Sequence, residues 1–375
     1  RGGDFNYNQS EIELMKKDLF GIGIIYKTSK LGNVEVYLKT LLFLLFKRKS
    51  IMKLIDEGKF RCGYLEDNEK SLDMVIKEFK PDIIHTLHTQ WSAYQLLDVR
   101  KNWAIKFPVW IHSVWGSDLY LWSRIPDQRQ ILEELMLYID YFIGEGKRDE
   151  DLAKSLGFKR NFMPSMPAFG GLDMEKINKI EALRPSMRRE IIVKGYDLGV
   201  GRFRDALIGL IRAKDVVKDY QINVFSLEMD RNLLDVYKND SGLKINVIPY
   251  CSNDELLKLF SRSRISIGCS FSDGVPATML EAMACGAFPI QTNTAITEEW
   301  IEDGISGILV PPDDVMAIEK AIRQALSDDQ LVDNAAEINR KTIIEKADNS
   351  KLSVTVEKIY NTIGYYNKVQ NKEKN

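Results

Sequence analysis

Short apolar runs alternate with helix-like stretches along the first part of the chain. The runs at 21–26, 81–87, 107–113 and 141–144 have the length and composition of buried strands. The stretches between them look helical at 34–55, 69–79, 90–101, 129–140 and 148–156. Because parallel strands are joined through crossover helices, this β-α-β order predicts a parallel sheet.

Only one good strand precedes residue 81 in this pattern. A doubly wound sheet normally places its first strand in the middle of the strand order, with neighbours on both sides. The pattern therefore predicts that a native first strand and its glycine-containing loop lie upstream of Arg1. Sequencing the native reading frame tests this expectation, and a start codon directly before Arg1 would contradict it.

A second series of the same kind begins near residue 190. Between 164 and 189 the periodicity gives way to Pro164, Pro167, Gly170 and Gly171 and a charged stretch, a composition typical of a linker. Strands, each followed by a helical run, are then predicted at 191–193, 222–225, 245–248, 265–268, 288–290 and 307–310. The fold class is therefore α/β, with two similar domains at 1–165 and 166–347 and a C-terminal helix with its tail at 348–375.

Composition narrows the classes of function. The chain has 375 residues with 52 Lys+Arg against 54 Asp+Glu, and this net charge of −2 provides no overall field to hold nucleic acid. The longest apolar run, at 41–46, is far shorter than the roughly 18 residues that a membrane span needs. The four cysteines show no C-x-x-C spacing, which fits a reducing cytosol. We therefore expect a cytoplasmic protein that binds any nucleotide locally.

The segment 270–286 carries the clearest chemistry. It follows a predicted strand, passes through Asp273 and Gly274, and enters a helix that we expect to start near residue 275, with Pro276 early and Gly286 just past its end. Free N–H groups and the positive end of the dipole make such a helix start a site for a diphosphate. Gly274 lets the backbone approach a ligand closely.

Two carboxylates flank this helix start. Asp273 and Glu281 are eight residues apart, roughly 12 Å if the whole segment is helical, so they cannot act as one acid/base pair. Glu281 can accept hydrogen bonds from a ribose diol, and Asp273 can reach a sugar hydroxyl. The alternative is that Asp273 only caps the helix while Glu281 faces water.

The pattern at 273–290, followed by that at 298–312, closely resembles the donor-binding half of the family 4 glycosyltransferases, which are retaining enzymes with the GT-B fold. The resemblance is dense over 265–326 and looser over 81–265. It implies two Rossmann-like domains that face a cleft, with a C-terminal helix crossing back to the first. It also implies a UDP- or GDP-sugar donor in the second domain, a glycan or lipid-linked acceptor in the first, and no cofactor.

The resemblance also implies roles for single residues. Asp273 and Glu281 match the family's paired glutamates, although Asp273 is one methylene shorter, and Gly274, Val275 and Pro276 belong to the same donor-binding motif. The cations on the donor phosphates are expected at Lys194 and Arg202. Tyr196 takes the position where the family commonly has an arginine, so Lys194 is its substitute. The alternative is that both cations are solvated surface charges.

All three histidines lie in the first domain. His85 and His88 lie at the C-terminal end of one predicted strand, His112 lies near the end of the next, and Trp115 and Asp118 come shortly after it. Since ligands of α/β sheets bind at the carboxyl ends of strands, these residues are expected on the acceptor side. The stretch resembles the family's His-Gly-x-Asp segment with Trp115 in place of its histidine, which leaves His112 and Asp118 as alternative groups at the reacting centre. A purely structural cluster and a three-histidine zinc site remain open.

No metal is required by this sequence. The letters Asp149-Glu-Asp151 match a D-x-D metal motif, but they begin a predicted helix, where acidic residues complement the dipole. The helix at 37–49 is apolar nearly all round with a basic end, so it is either buried or placed against an anionic membrane surface.

The expected activity is transfer of a sugar with retained configuration, in bacterial surface polysaccharide synthesis. A GT-B nucleotide-sugar epimerase and a non-catalytic nucleotide-sugar-binding protein are the alternatives.

Overall fold

The computed structural model describes residues 24–26 and 68–372, and these residues form two compact units. The described part of the first unit comprises 24–26, 68–165 and 356–372, and the second unit comprises 166–355. The expected helical stretch at 34–55, which includes the apolar segment 37–49, lies outside the described residues.

The first unit contains a five-stranded sheet in the order β1-β2-β3-β4-β5. Its strands are β1 (Ile24–Tyr26), β2 (Ile83–Leu87), β3 (Val109–Ser113), β4 (Tyr141–Ile143) and β5 (Asn161–Phe162). Its helices are α1 (Asn68–Phe79), α2 (Tyr94–Lys101), α3 (Ser117–Tyr120), α4 (Pro126–Tyr138) and α5 (Lys147–Ser155), with a π turn at Thr89–Ala93 and a 3₁₀ turn at Trp122–Arg124.

Strands β2 to β5 are parallel, as the sequence predicts, because a helical segment separates each pair. Strand β1 departs from that prediction: it pairs antiparallel with β2, with Ile25 opposite Ile84. Interior strands of such a sheet are covered on both faces, which explains why β2 and β3 are almost uninterrupted apolar runs. Trp110 on β3 is fully buried, and its Nε1 atom donates to Thr86 Oγ1 at 2.9 Å.

The second unit contains a six-stranded parallel sheet in the order β11-β10-β9-β6-β7-β8. Its strands are β6 (Glu190–Lys194), β7 (Gln221–Phe225), β8 (Ile245–Val247), β9 (Ser263–Gly268), β10 (Phe288–Thr292) and β11 (Ile308–Val310). Its helices are α6 (Met174–Ile177), α7 (Phe203–Arg212), α8 (Lys214–Val217), α9 (Arg231–Ser241), α10 (Asn253–Arg262), α11 (Ala277–Ala284), α12 (Val315–Ser327) and α13 (Asp329–Lys346). Helix α14 (Asn349–Lys372) begins in this unit and ends in the first.

Apolar layers cover both faces of this second sheet. Along β6, Ile191 and Val193 belong to one buried cluster and Ile192 to the other, as the two-residue repeat of a strand requires. Helices α7 and α12 pack on the first face, while α10 and α11 pack on the second. The sheet is therefore doubly wound, which the sequence pattern predicts.

Three local predictions need correction. Only a 3₁₀ turn, Ile296–Glu299, joins β10 to β11, where a helical run is expected. The linker region 164–189 contains α6 and packs into the second unit through Leu172 and Ile177. Helix α11 begins at Ala277, so Pro276 is its N-cap residue and lies outside the first turn. In addition, none of the helices at 68–372 is long and apolar enough to cross a membrane.

Candidate functional site

The strand order of the second unit reverses between β6 and β9. The chain runs from β6 through β7 to β8 on one side, and from β9 through β10 to β11 on the other. In open α/β sheets, ligands bind outside the carboxyl ends of the strands at such a switch point. Lys194 ends β6 and Gly268 ends β9, so the loops that follow these residues border this position.

The loop between β9 and α11 is fixed by residues that follow β10. Thr292 Oγ1 accepts a hydrogen bond from Ser270 N at 3.1 Å and donates to Ser270 O at 2.7 Å. Thr294 Oγ1 donates to the same carbonyl at 2.6 Å, and Ile296 N donates to Gly274 O at 3.0 Å. The loop is therefore held in one geometry before any ligand is bound.

The start of α11 is open. Pro276 has no side chain that could accept a hydrogen bond from the helix, and the N–H groups of Ala277 and Thr278 have no acceptor among the described residues. The next two N–H groups, from Met279 and Leu280, both donate to Pro276 O, at 3.0 Å and 3.2 Å. Two N–H groups at the positive end of a helix dipole are a ready anion site.

Glu281 lies on the fifth residue of α11 and is buried. Its Oε1 atom accepts a hydrogen bond from Asn253 Nδ2 at 2.6 Å. Burial raises the pKa of Glu281, while the Asn253 hydrogen bond and the positive charge of Lys194 oppose that rise. The expectation that Glu281 might simply face water is therefore wrong, because the side chain points into a polar cluster at the switch point.

Lys194 and Arg202, the two cations expected at the donor phosphates, lie near the switch point of the second sheet but have different partners. The Lys194 ammonium stands over the Tyr196 ring, 5.2 Å from its centroid, and is close enough to act on Glu281. The Arg202 guanidinium lies 4.3 Å from the centroid of the Phe271 ring and donates from Nε to Asp313 Oδ1 at 2.8 Å. The charge of Arg202 is therefore partly offset by a carboxylate, whereas the charge of Lys194 favours the ionised form of the buried Glu281.

A short antiparallel contact brings Arg202 to the loop. Gly201 bridges to Ser270, Arg202 N donates to Cys269 O at 3.0 Å, and Phe271 N donates to Val200 O at 3.0 Å. A Cβ atom at Gly201 would lie 2.3 Å from Tyr196 O, so only glycine allows this close approach.

Asp273 is half-buried in the loop, ahead of the helix. Its Oδ1 atom accepts a hydrogen bond from the N–H of the next residue, Gly274, at 2.9 Å. Asp273 and Glu281 thus engage different partners, as their spacing predicts.

In the first unit, His112 and Asp118 are joined through a threonine. Thr89 Oγ1 donates to Asp118 Oδ2 at 2.9 Å and lies 3.2 Å from His112 Nε2, while Thr86 Oγ1 lies 2.9 Å from His112 Nδ1. Asp118 also accepts from the N–H of Thr89 at 2.8 Å and from that of Trp115 at 2.7 Å. Asp118 therefore organises the loops after β2 and β3, and the geometry gives it a positioning role.

His85 is occupied on both ring nitrogens. Its Nδ1 atom lies 2.6 Å from the Tyr360 hydroxyl of α14, and its Nε2 atom lies 2.7 Å from Ser113 Oγ. Both partners belong to the first unit. His85 thus connects the C-terminal helix to the sheet.

His88 is the unusual member of this cluster. It is buried, with a positive φ of 71°, which a non-glycine residue adopts at a cost of about 1–3 kcal/mol. Its ring lies 4.6 Å from that of Trp91 and 5.8 Å from that of Trp115, measured between centroids. Its Nδ1 atom is buried without a hydrogen-bond partner, which costs roughly 1–3 kcal/mol more.

The described residues contain no group of three His, Cys, Asp or Glu side chains that could hold a metal ion. In Asp149-Glu-Asp151, Asp149 Oδ2 accepts from Glu145 N at 3.1 Å at the start of α5. Asp149 is therefore a capping residue of this helix, as the sequence predicts.

Comparison with known proteins finds sequences similar to part of this chain. Residues 234–342 match the family model "Glycosyl transferases group 1". A stretch of 85 residues, 23% of this chain, is 33% identical to the O-antigen chain mannosyltransferase B of Escherichia coli. The aligned stretch spans 22% of the length of that mannosyltransferase.

Solved structures are similar to most of the chain in fold. The sucrose-phosphate synthase of Thermosynechococcus elongatus has a TM-score of 0.63 at 14% identity, over 80% of this chain and 77% of its own. A glycosyltransferase from Rickettsia africae has a TM-score of 0.60 at 17% identity, and the match covers 84% of this chain and 87% of that protein. The Anabaena protein HepE, in complex with UDP-glucose, has a TM-score of 0.60 at 13% identity, and the match covers 89% of this chain and 98% of that protein. These likenesses confirm the predicted GT-B fold.

The second unit places Lys194 at the end of β6 and Glu281 on α11, close enough for the charge of Lys194 to act on Glu281. It also uses residues that the sequence analysis does not select. Asn253 orients Glu281 from 28 positions away, and Asp313 pairs with Arg202 from 111 positions away. No local spacing signals either contact, because each depends on how distant loops meet at one edge of the sheet.

Acid should destabilise the first unit. Burial lowers the pKa of His112 from 6.5 to about 4 and that of His85 to about 3. Between pH 6.5 and 4 the unfolded histidines bind protons that the folded ones do not, so stability falls as the pH is lowered through this window. At pH 5 the expected loss is about 2 kcal/mol for each histidine.

Thermal unfolding followed by circular dichroism from pH 7 to pH 5 checks this expectation. In the variant His112→Asn, the free energy of unfolding should fall less between pH 7 and pH 5, by the contribution of one histidine, about 2 kcal/mol. Equal slopes for the variant and the parent protein would contradict the assignment of a neutral, buried His112.

Proposed function

We propose that this protein is a retaining glycosyltransferase that moves a sugar from a nucleoside-diphosphate sugar to a glycan or lipid-linked acceptor. The observation that carries the proposal is the open start of α11, with two unpaired N–H groups, at the switch point that Lys194 and Glu281 also border. The group 1 family match and the UDP complexes of structural neighbours support the same conclusion.

The proposed chemistry follows from the charges. A departing nucleoside diphosphate gains negative charge, which preorganised N–H groups and a cation stabilise in a water-poor site. Lys194 and the N–H groups of Ala277 and Thr278 take this role, with Arg202 contributing a partly neutralised charge. Glu281 accepts the ribose hydroxyls through the oxygen that Asn253 does not use. Asp273 binds the sugar, and retention follows from a front-side displacement, as the family resemblance implies.

We assign the acceptor to the first unit and the biological role to bacterial surface polysaccharide synthesis on the cytoplasmic side of the membrane. The support is the likeness to an O-antigen mannosyltransferase and the cluster of His88, His112 and Trp115 at the carboxyl ends of β2 and β3. UDP and GDP both remain candidate donor nucleotides.

Incubation with a panel of UDP- and GDP-sugars tests the proposal. Release of free nucleoside diphosphate, stimulated by a glycan acceptor and yielding a product with the donor's anomeric configuration, is expected. An isomerised donor would identify an epimerase, and binding without turnover would identify a non-catalytic binding protein.

Activity should persist in EDTA. The helix start and Lys194 supply positive potential at the diphosphate, the task that a divalent cation performs in other transferases. Initial rates with 5 mM EDTA should stay within about twofold of those without it. For comparison, loss of one phosphate contact should lower the rate at least about tenfold. A rate that falls in EDTA and returns with Mn²⁺ would contradict this expectation.

A further inference from the structure

Three aromatic side chains of the first unit gather where β2 and β3 end. His88 directly follows β2, Trp91 lies in the π turn after it, and Trp115 lies two residues after β3 ends. The His88 ring is tilted by 33° against Trp91 and meets Trp115 edge to face at 87°. We call these three residues the aromatic platform.

Trp115 is the exposed residue of the aromatic platform, and its backbone is held in a fixed position. Trp115 has 43% of its surface exposed, although indoles are normally covered in a protein without a ligand. Its backbone is nevertheless fixed, because Trp115 N donates to the buried Asp118 and the next residue, Gly116, has a φ of 86°. The exposed indole is thus held in place by buried groups.

His88 adds a second, independent observation. Only 8% of His88 is exposed, and its Nδ1 atom has no hydrogen-bond partner. Its unusual backbone is held by His88 N donating to Ser113 O at 3.0 Å and by Ser92 Oγ donating to His88 O at 2.5 Å. Strained backbone conformations cluster at functional sites, and a buried side-chain atom without a hydrogen-bond partner is rare in folded proteins. His88 combines both features.

The chemistry of the platform selects a class of ligand. Burial lowers the pKa of His88, so the imidazole is uncharged at neutral pH and can exchange a hydrogen bond with a hydroxyl group. Two indoles and a neutral imidazole offer an apolar surface with one polar atom, a combination that suits a neutral ring rather than a phosphate. A pyranose has such a shape, with C–H groups on its faces and hydroxyls at its rim.

We propose that Trp115, Trp91 and His88 form a binding site for a neutral hexopyranose of the acceptor, whose C–H face packs on the Trp115 indole while a hydroxyl pairs with His88 Nδ1. This inference rests on the proposed glycosyl transfer for the role of the sugar, but the binding itself does not. The tryptophan at residue 115, where the family pattern has a histidine, then sets which acceptor ring the enzyme accepts.

Indole N–H resonances of the full-length, ¹⁵N-tryptophan-labelled protein test the platform. The six tryptophans, assigned by single Trp→Phe variants, are followed during titration with the methyl α-pyranosides of mannose, glucose and galactose up to 100 mM. With at least one of these sugars, the Trp115 and Trp91 resonances should move saturably. Trp103, a half-buried tryptophan in the loop before β3, is the matched control and should not move.

Variants sharpen the test. Trp115→Ala should raise the dissociation constant followed at Trp91 at least tenfold, and Trp115→Phe should raise it less. His88→Asn, which tolerates the positive φ, should weaken binding severalfold while the Trp115 resonance still responds. Trp103→Phe should leave the dissociation constant unchanged.

The outcomes separate this proposal from the proposed function. Absence of saturable shifts with all three sugars, equal shifts at Trp103, or an unchanged dissociation constant in Trp115→Ala would overturn the platform. Saturable binding at Trp115 in a protein that consumes no nucleotide sugar would keep the platform and overturn the transferase.

Discussion

Replacing Lys194 by methionine is expected to lower kcat/KM by roughly 10²–10³-fold, about 3 kcal/mol of transition-state stabilisation. Lys194 is the last residue of β6, and its positive charge acts on Glu281, a buried group that little water reaches. Methionine keeps the unbranched chain that lies along Tyr196 but removes the ammonium group. Steady-state rates with the donor found in the nucleotide-sugar panel measure the effect.

Two other basic residues, at the start of α7, provide comparisons for the effect of Lys194→Met. Arg202→Met should cost less, roughly tenfold, because Asp313 already offsets part of its charge. Arg204, two residues further on, is exposed and paired with Asp197, so Arg204→Met should leave kcat/KM unchanged. An unaltered kcat/KM in both Lys194→Met and Arg202→Met would refute the assignment of the phosphate contacts.

The second large effect is expected from Glu281→Gln, which should weaken binding of the free nucleoside diphosphate by about 1.5–3 kcal/mol. Glutamine keeps the shape and the helix propensity of glutamate, but it loses the charged acceptor for the ribose hydroxyls. Asn253 Nδ2 would then face either an amide oxygen or an amide NH₂, so the orientation of residue 281 also becomes less certain.

Asp273→Asn should behave differently, because Asp273 lies in the loop ahead of the helix and is assigned to the sugar. It should weaken the complete nucleotide sugar and leave the affinity for the free diphosphate nearly unchanged. Isothermal titration calorimetry of both variants with the nucleoside diphosphate and with the intact donor decides this. Glu255→Gln, an exposed capping residue of α10, is the matched control for an acidic side chain near Asn253.

If Glu281→Gln and Asp273→Asn lose affinity for the bare diphosphate equally, the proposed placement of the donor along α11 is wrong.

The acidic pair illustrates how far sequence reasoning reaches into the site. Spacing along one segment places Asp273 in the loop and Glu281 on the helix, and the structure agrees because both positions depend on local backbone geometry. The start of α11 is less exact: Pro276 fits both the first turn and the N-cap position, and the structure selects the cap. That choice matters, since it leaves the N–H groups of Ala277 and Thr278 free.

The histidines illustrate the limit. The sequence places all three near strand ends, where acceptor residues are expected, but their chemistry differs with burial and partners. His85 is occupied by Tyr360 and Ser113, His112 by two threonines, and only His88 retains an unpaired nitrogen. Contacts that bridge more than 20 residues set these differences, and no local pattern encodes them.

The sequence by itself determined the α/β class, most strand positions and the donor-binding motif, because hydrophobic periodicity and turn residues act within a few positions of one another. Only the tertiary structure decided the antiparallel pairing of β1, the hydrogen bond from Asn253 to Glu281, and the pairing of Arg202 with Asp313. The physical reason is that strand order and loop packing bring distant residues together, and the resulting burial sets which charges and polar atoms remain available for a ligand.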